Sequence, residues 1–450
     1  MALFSANDIR GIYPQQLSRE TVYRIGYYLP NLLGARSIVL GRDPRLSSQE
    51  IFSALSQGIL DAGAEVTDIG PCCTPSLYFA NAYYGFDGSA MITASHNPPE
   101  YNGLKISGRE AVPVVADTGL RELEKMVKVA PKPRGSTGRM RRMDVTGDYL
   151  EYLQPYKRGI GYLRLVSDCS NGAAAYRFGR LVADLPIRHT IINDVPDGRF
   201  PQHGPNPLEP QNLTQLRAKV LAEHADLGVC FDGDGDRIIF IDERGQPVAA
   251  DRITALLGLY FFKHRPEEIQ DNLEVLYDIR SSKSIAEYLR SIGATPVPCP
   301  VGHAVIKTLL RREQGLYAGE LTGHYYFRDF FYCDSALLTL LIMLNVLCRE
   351  KKRLSELVDP LQRYFSTGEL SFTVENAEGI VKKVRQAYSE GTASEISGLR
   401  VDFTDWWFVL RAGSTEPKLR LVIEADTKDE LERRKAELMH LIREPQGGKG

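Results

Sequence analysis

The run Thr93-Ala94-Ser95-His96-Asn97-Pro98 follows the apolar residues Ala90 to Ile92 and leads through Glu100-Tyr101-Asn102-Gly103 to Leu104-Lys105. A serine hydroxyl beside an imidazole, with an ammonium close behind in a loop punctuated by Asn-Pro and Asn-Gly, suits an open nucleophile that carries a phosphoryl group. Ser95 is the candidate carrier, with His96 and Lys105 beside it. The same residue types fill ordinary polar turns, so the reading depends on the company the loop keeps.

Asp232-Gly233-Asp234-Gly235-Asp236-Arg237 follows the apolar run Leu227 to Phe231. Alternating Asp and Gly at a strand end lets the backbone bend tightly, so three carboxylates converge on one hard cation such as Mg²⁺. An EF-hand loop needs Gly at its sixth position and Glu at its twelfth, whereas counting from Asp232 gives Arg237 and Glu243. Arg237 can complement phosphate oxygens beside the metal. With the phosphorylated Ser95 as a further metal ligand, the two loops form one site.

Two more clusters complete the inventory. Gly319-Glu320-Leu321-Thr322-Gly323-His324 offers a carboxylate, a hydroxyl and an imidazole between glycines, the composition of a sugar clamp. Arg411-Ala412-Gly413-Ser414-Thr415-Glu416-Pro417, with Arg420 beyond, supplies guanidinium, hydroxyls and an open backbone that can wrap a dianionic phosphate.

Together these loops resemble those of the α-D-phosphohexomutases, the family of phosphomannomutases, phosphoglucomutases and phosphoglucosamine mutases. The resemblance implies Asp232, Asp234 and Asp236 as metal ligands with Ser95, Arg237 as the arginine that follows them, and Glu320, Thr322 and His324 as the sugar loop. Thr322 stands where the family usually has serine, and Gly413 where many members have serine. Arg10, Arg252, Arg280 and His303 gain roles only from this resemblance, Arg280 at a place where lysine is common.

The implied activity interconverts hexose 1-phosphate and hexose 6-phosphate, of mannose, glucose or both, through a hexose 1,6-bisphosphate, with Mg²⁺. Glu320-Leu321 and Tyr325-Tyr326-Phe327 look more like the phosphomannomutase/phosphoglucomutase branch, although the last loop has a character seen in the glucosamine branch. Two rivals come from other classes: a Mg²⁺-dependent phosphatase with an Asp of the cluster as nucleophile, and an inactive sugar-phosphate-binding protein.

These residues need several domains to hold them. A chain of 450 residues predicts three or four. Strand, turn and helix recur from about residues 37, 163 and 273, which predicts three related α/β domains with mixed sheets, at 1–142, 143–245 and 246–363. Hairpin-spaced strands and two helices predict a smaller α+β domain at 364–450, the four surrounding a central cleft. Residues 135–142 read as a solvated link.

Hydrophobic content of 43%, 25% charged residues and a net charge of −2 describe a globular protein with no bulk attraction for nucleic acid or anionic membrane. The partners expected are small hexose phosphates; monomer and homo-oligomer remain equally open. Seven cysteines, without paired metal spacing, read as reduced core thiols. The first residues show no export signal and no long apolar run occurs, so the expectation is a cytoplasmic protein.

Overall fold

The computed structural model describes residues 3–132, 138–269, 272–412 and 418–443. Among them the chain builds four sheets, and the first three share one topology over four strands, the outer antiparallel strand coming from the chain's start in the first and from the next strand in the other two. In the first, Ser37–Arg42 runs parallel to Glu65–Pro71 on one side and to Gly88–Ile92 on the other. Gly88–Ile92 then pairs antiparallel with Tyr101–Ser107, which pairs antiparallel with Ile9–Ile12.

The second sheet repeats this with Arg164–Asp168 between Arg188–Ile192 and Leu227–Phe231, then Ile238–Ile241 and Pro247–Val248. The third repeats it with Glu274–Asp278 between Thr295–Cys299 and Tyr317–Gly319, then Tyr325–Phe327 and Cys333–Asp334. All five residues of Gly88–Ile92 and of Leu227–Phe231 are buried. Strands covered on both faces cannot alternate polar with apolar, so they read as continuous apolar runs.

This shared topology positions the chemistry. The turn from the last parallel strand into its antiparallel neighbour holds Ser95 in the first unit, Asp232 to Arg237 in the second and Glu320 to His324 in the third. Three dissimilar loops therefore occupy one structural place, outside the carboxyl ends of parallel strands, where open α/β sheets hold ligands.

The fourth sheet is antiparallel, with Leu399–Asp402, Trp406–Ala412 and Lys418–Ala425 in succession and Leu370–Thr373 beside the last. Helices Ala377–Ala387 and Lys428–Arg443 cover it over Trp406, Phe408, Leu421 and Ile423. Residues 413–417, which include Gly413, Ser414 and Thr415, lie outside the described residues.

The expected link differs in part. Met140–Arg142 is exposed, but it adds to the first sheet as an edge strand parallel to Glu65–Pro71, because the neighbouring strand presents unpaired backbone groups there. Residues 135–137 of that stretch lie outside the described residues.

One apolar core spans the first three units. Tyr78 and Phe79, on helix Thr74–Tyr84, join Tyr149, Phe178, Phe231, Tyr260, Tyr317 and Phe330 in it. Rigid packing of this kind fixes the loops against one another. The cysteines are all unpaired, and six of the seven are buried. No helix among the described residues is long and apolar enough to cross a membrane.

Candidate active site

Ser95 sits at φ 51°, a left-handed conformation that costs a non-glycine residue about 1–3 kcal/mol. Its N–H donates to Thr93 Oγ1 at 2.8 Å, and its Oγ donates to Asp232 Oδ2 at 3.0 Å. His96 Nδ1 lies 3.3 Å from the same Oγ. The serine and acidic loops, 137 positions apart, thus meet at Ser95.

That approach needs Gly233, because a Cβ there would lie 2.5 Å from the Ser95 carbonyl oxygen. Gly235 turns the chain back at φ 71°, which glycine adopts without strain. Asp232 Oδ1 then accepts the backbone N–H groups of Gly235 (3.0 Å), Asp236 (3.2 Å) and Arg237 (3.2 Å).

Asp232, Asp234 and Asp236 are completely buried, and one oxygen of each lies within 4.8 Å of the others. Lys105 Nζ donates to Asp234 Oδ2 at 2.6 Å and also to Asp236 Oδ2. Thr74 Oγ1 donates to Asp234 Oδ2 at 2.5 Å. Asp234 Oδ1 has no partner. Burial and the two neighbouring carboxylates push the Asp232 carboxyl well above its usual range. An orphaned oxygen within a crowded all-oxygen set is what a hard divalent cation relieves, so the residues fit Mg²⁺.

The surroundings are cationic. Burial, then Arg237, Arg10 and Lys105, pull the His96 imidazole down to about 2, so it is neutral. Burial opposes charge on Lys105, but Asp234 and Asp236 more than offset it and hold the ammonium charged. Arg10 donates to Asn97 Oδ1 at 2.5 Å and to Asp8, beside the serine loop, and its buried Nε has no partner. Positive charge gathered around a nucleophilic hydroxyl stabilises phosphoryl oxygens.

The third loop joins directly. Ile238 N–H donates to the Gly323 carbonyl at 3.0 Å, and Arg237 Nε lies 3.2 Å from His324 Nε2. His324 Nε2 is also 3.2 Å from Asp236 Oδ1, and its Nδ1 is 3.1 Å from Glu320 Oε2 and 2.9 Å from Thr322 Oγ1. Burial opposes charge on His324, yet Asp236 lifts it to about 9. Glu320 is buried, but His324, Arg280 and Arg237 hold it ionised, well below its usual range. Tyr326 Oη donates to it at 3.0 Å. His303 begins helix His303–Arg312 with an unpartnered Nδ1, its ring centroid 6.0 Å from that of His324.

The last loop is reached through Arg411, whose Nε donates to the Ser397 carbonyl at 3.1 Å and whose buried Nη1 has no partner. Burial and then Arg280 lower its pKa. Arg280 itself is held by Asp278, Nε to Oδ1 at 2.9 Å. Two neighbouring guanidinium groups, one with an orphaned donor, can hold an anion between them. Arg252 stands in the first turn of helix Ala250–Gly258 beside Asp251, and Arg420 lies 3.4 Å from Glu369; neither joins the hydrogen-bonded cluster of the first three loops.

Several polar residues here escaped the motif reading. Thr74 bonds Asp234 from a helix start, where a threonine looks like a cap. Asp278 Oδ2 accepts the Leu321 N–H at 3.3 Å, tying Arg280 to the third loop. Lys307 Nζ lies 2.9 Å from Asp334 Oδ1, both buried, and 3.8 Å from the Tyr78 ring centroid. Lys307 had a legible signal: a cation one turn from His303, on the face that carries Ala304, Ile306 and Leu310.

Comparison with known proteins agrees along the whole chain. The family phosphoglucomutase/phosphomannomutase matches domain by domain: alpha/beta/alpha domain I at residues 1–132, domain II at 148–245, domain III at 249–364 and the C-terminal domain at 343–441. A phosphomannomutase of Escherichia coli (strain K12) is 35% identical over 440 residues, covering 94% of this chain and 95% of that protein. A protein named phosphohexose mutases from Xanthomonas campestris pv. campestris (strain ATCC 33913) is 36% identical over 451 residues, covering 98% of this chain and 99% of that protein. A crystal structure of a phosphoglucomutase/phosphomannomutase family protein from Burkholderia thailandensis superposes with a TM-score of 0.90 at 31% identity, covering 98% of this chain and 97% of that one.

Proposed function

This chain is an enzyme of the phosphoglucomutase/phosphomannomutase family, and on that premise we propose that it interconverts the 1-phosphates and 6-phosphates of mannose and glucose through a phosphorylated Ser95. The observation that carries this reading is the 3.0 Å contact of Ser95 Oγ with Asp232 Oδ2, beside a sugar-type loop bonded to the same acidic turn.

In this reading the phosphoserine gives its phosphoryl group to the free hydroxyl of a hexose monophosphate. The resulting hexose 1,6-bisphosphate turns round, and its other phosphate returns to Ser95 Oγ. The first half-reaction takes a proton from the attacking sugar hydroxyl and gives one to the leaving serine oxygen; the second takes a proton from the Ser95 hydroxyl and gives one to the leaving sugar oxygen. His324, held protonated, and the neutral His96 are the imidazoles beside the acidic and serine loops.

Lys105, Arg10 and Arg237 face the charge that develops on the transferred group. Glu320, Thr322, His324 and His303 hold the sugar. Arg280, Arg411 and Arg420, with Arg252 and residues 413–415, hold the phosphate that does not react. Asp232, Asp234 and Asp236 would bind Mg²⁺ together with Ser95, and the ion would neutralise phosphoryl oxygens.

The test supplies glucose 1-phosphate or mannose 1-phosphate with Mg²⁺ and a trace of the matching 1,6-bisphosphate. The 6-phosphate should accumulate, intact mass should show one phosphoryl group, and both should vanish in Ser95→Ala. Release of inorganic phosphate instead would identify a phosphatase. Binding without turnover would identify an inactive relative.

A further inference from the structure

Arg45 is 2% exposed, and its guanidinium spends every donor on one loop and one partner. Nε donates to Asp43 Oδ2 at 3.0 Å. Nη1 donates to the carbonyl oxygens of Pro98 (2.6 Å) and Tyr101 (2.9 Å), and Nη2 to those of Ser95 (2.7 Å) and Asn97 (2.6 Å). A guanidinium has five N–H donors in a fixed fork, and all five are matched here.

Asp43 completes the hold from the other side. Its Oδ2 accepts the Thr93 hydroxyl at 2.7 Å, and Thr93 Oγ1 accepts the Ser95 N–H at 2.8 Å. Its Oδ1 accepts Ser48 Oγ at 2.8 Å. Both backbone polar groups of Ser95 therefore lead to one buried ion pair, the carbonyl directly and the amide through Thr93. The second unit seals the arrangement: the Phe200 ring centroid is 5.1 Å from the guanidinium, and Gly198 leaves no room for a Cβ above Pro44 and Arg45.

We propose that Arg45, with Asp43 and Thr93, is a positioning unit that keeps Ser95 left-handed and so aims its Oγ at Asp232. A non-glycine residue holds such a conformation only where its surroundings over-determine it, and these contacts supply that determination. The inference rests on the reading of Ser95 as the phosphoryl carrier. Lysine cannot replace Arg45, because an ammonium has three donors at one point instead of a planar fork. Nothing in the unit contacts the sugar loop, so it governs transfer to and from the serine and leaves sugar binding alone.

The experiment compares Arg45→Lys and Thr93→Val with the parent protein. It measures kcat and KM for glucose 1-phosphate, the rate at which glucose 1,6-bisphosphate phosphorylates Ser95 by intact mass, and Tm. Misplacing a reacting group by about 1 Å costs on the order of 10²-fold. That is the fall expected in kcat and in serine phosphorylation for Arg45→Lys, with KM unchanged. Thr93→Val, which keeps its shape and breaks only the amide relay, should fall in the same two rates by roughly tenfold. It decides the matter if the lysine variant does not fold. Folded variants with parental kcat, or a loss confined to KM, would overturn the proposal. Ser95→Ala serves as the control: turnover there would sink the carrier assignment itself, whereas an inactive Ser95→Ala beside a normal Arg45→Lys would sink only this inference.

Discussion

The Arg400 guanidinium lies 3.9 Å from the Trp407 ring centroid, and its Nη1 donates across the unit boundary to the carbonyl oxygens of Ile279 (2.7 Å) and Ser281 (3.2 Å). These carbonyls flank Arg280. Trp407 Nε1 donates to Glu424 Oε2 at 2.8 Å, which also accepts Ser282 Oγ at 2.8 Å. The last unit thereby grips the loop that presents Arg280 to the site. In Arg400→Lys the stacked fork is lost, and KM for hexose 1-phosphate should rise roughly tenfold, equivalent to about 1.4 kcal/mol. Steady-state kinetics check this, with kcat close to parental because the serine loop is untouched.

Arg411 combines an unpartnered buried Nη1 with a lowered pKa caused by burial and then by Arg280. A dianionic phosphate would satisfy the donor and the repulsion together. Truncating one partner of such a charged contact costs about 2–5 kcal/mol. Arg411→Ala should therefore lose roughly 30-fold to several thousand-fold in kcat/KM in both directions of the mutase reaction, while intact mass shows an unchanged level of Ser95 phosphorylation.

Asp234→Asn removes one of three crowded carboxylates, one with an orphaned Oδ1. Turnover should fall by about 10²–10³, the cost of deleting a comparable electrostatic contact in a transition state. Thermal melts with and without Mg²⁺ supply an independent reading. Mg²⁺ should raise the Tm of the parent protein and leave that of the variant nearly unchanged. Full activity of the parent in excess chelator would count against a metal at this site.

Glu320 is held ionised by His324, Arg280 and Arg237, although burial opposes it. Glu320→Gln keeps the shape and gives up the charge. Hydrogen bonds to charged groups are worth about 1.5–3 kcal/mol, so kcat/KM should fall roughly 10- to 150-fold. The loss should be equal for glucose and mannose 1-phosphates if Glu320 reads hydroxyls the two sugars share. Paired kinetics on both sugars decide it, and a loss on one sugar alone would move the contact to the carbon that distinguishes them.

His203 has its Nε2 3.0 Å from Asp168 Oδ2 and its Nδ1 2.8 Å from the Gly204 carbonyl. Burial opposes its charge, but the Asp168 bond raises its pKa above 6.5. A group raised on folding adds stability that is fully present below the unfolded pKa of about 6.5 and is lost as pH rises through the folded value. His203→Gln should therefore lower Tm more at pH 6 than at pH 9. Melts of both proteins at the two pH values test the sign.

Much of the architecture was legible because it rests on local rules. Apolar runs at 38–40, 90–92 and 227–231 are buried parallel strands, and the strand, turn and helix that return from about residues 37, 163 and 273 become three mixed sheets of one topology. Ser95, the alternating Asp232 to Asp236 and the Glu320 to His324 loop could be picked out because residue type and spacing are themselves sequence properties. Arg45 and Asp43 could not be assigned in that way, and for Lys307 the spacing from His303 hinted at a role without naming its partner. Each is a common charged residue whose meaning lies in what it touches: the Ser95, Asn97, Pro98 and Tyr101 carbonyls, the Thr93 hydroxyl, the Asp334 carboxylate.

The amino-acid sequence by itself determined which groups are present and which short turns carry them, since glycine, aspartate and serine in a fixed order set local bending and ligand type. Only the tertiary structure decided that the serine and acidic loops, 137 positions apart, meet at 3.0 Å, and that Ser95 is held left-handed from both sides. The physical reason is that these contacts are enforced by one apolar core packed across three units. Such packing is a sum over many distant side chains, and no stretch of the chain records it locally.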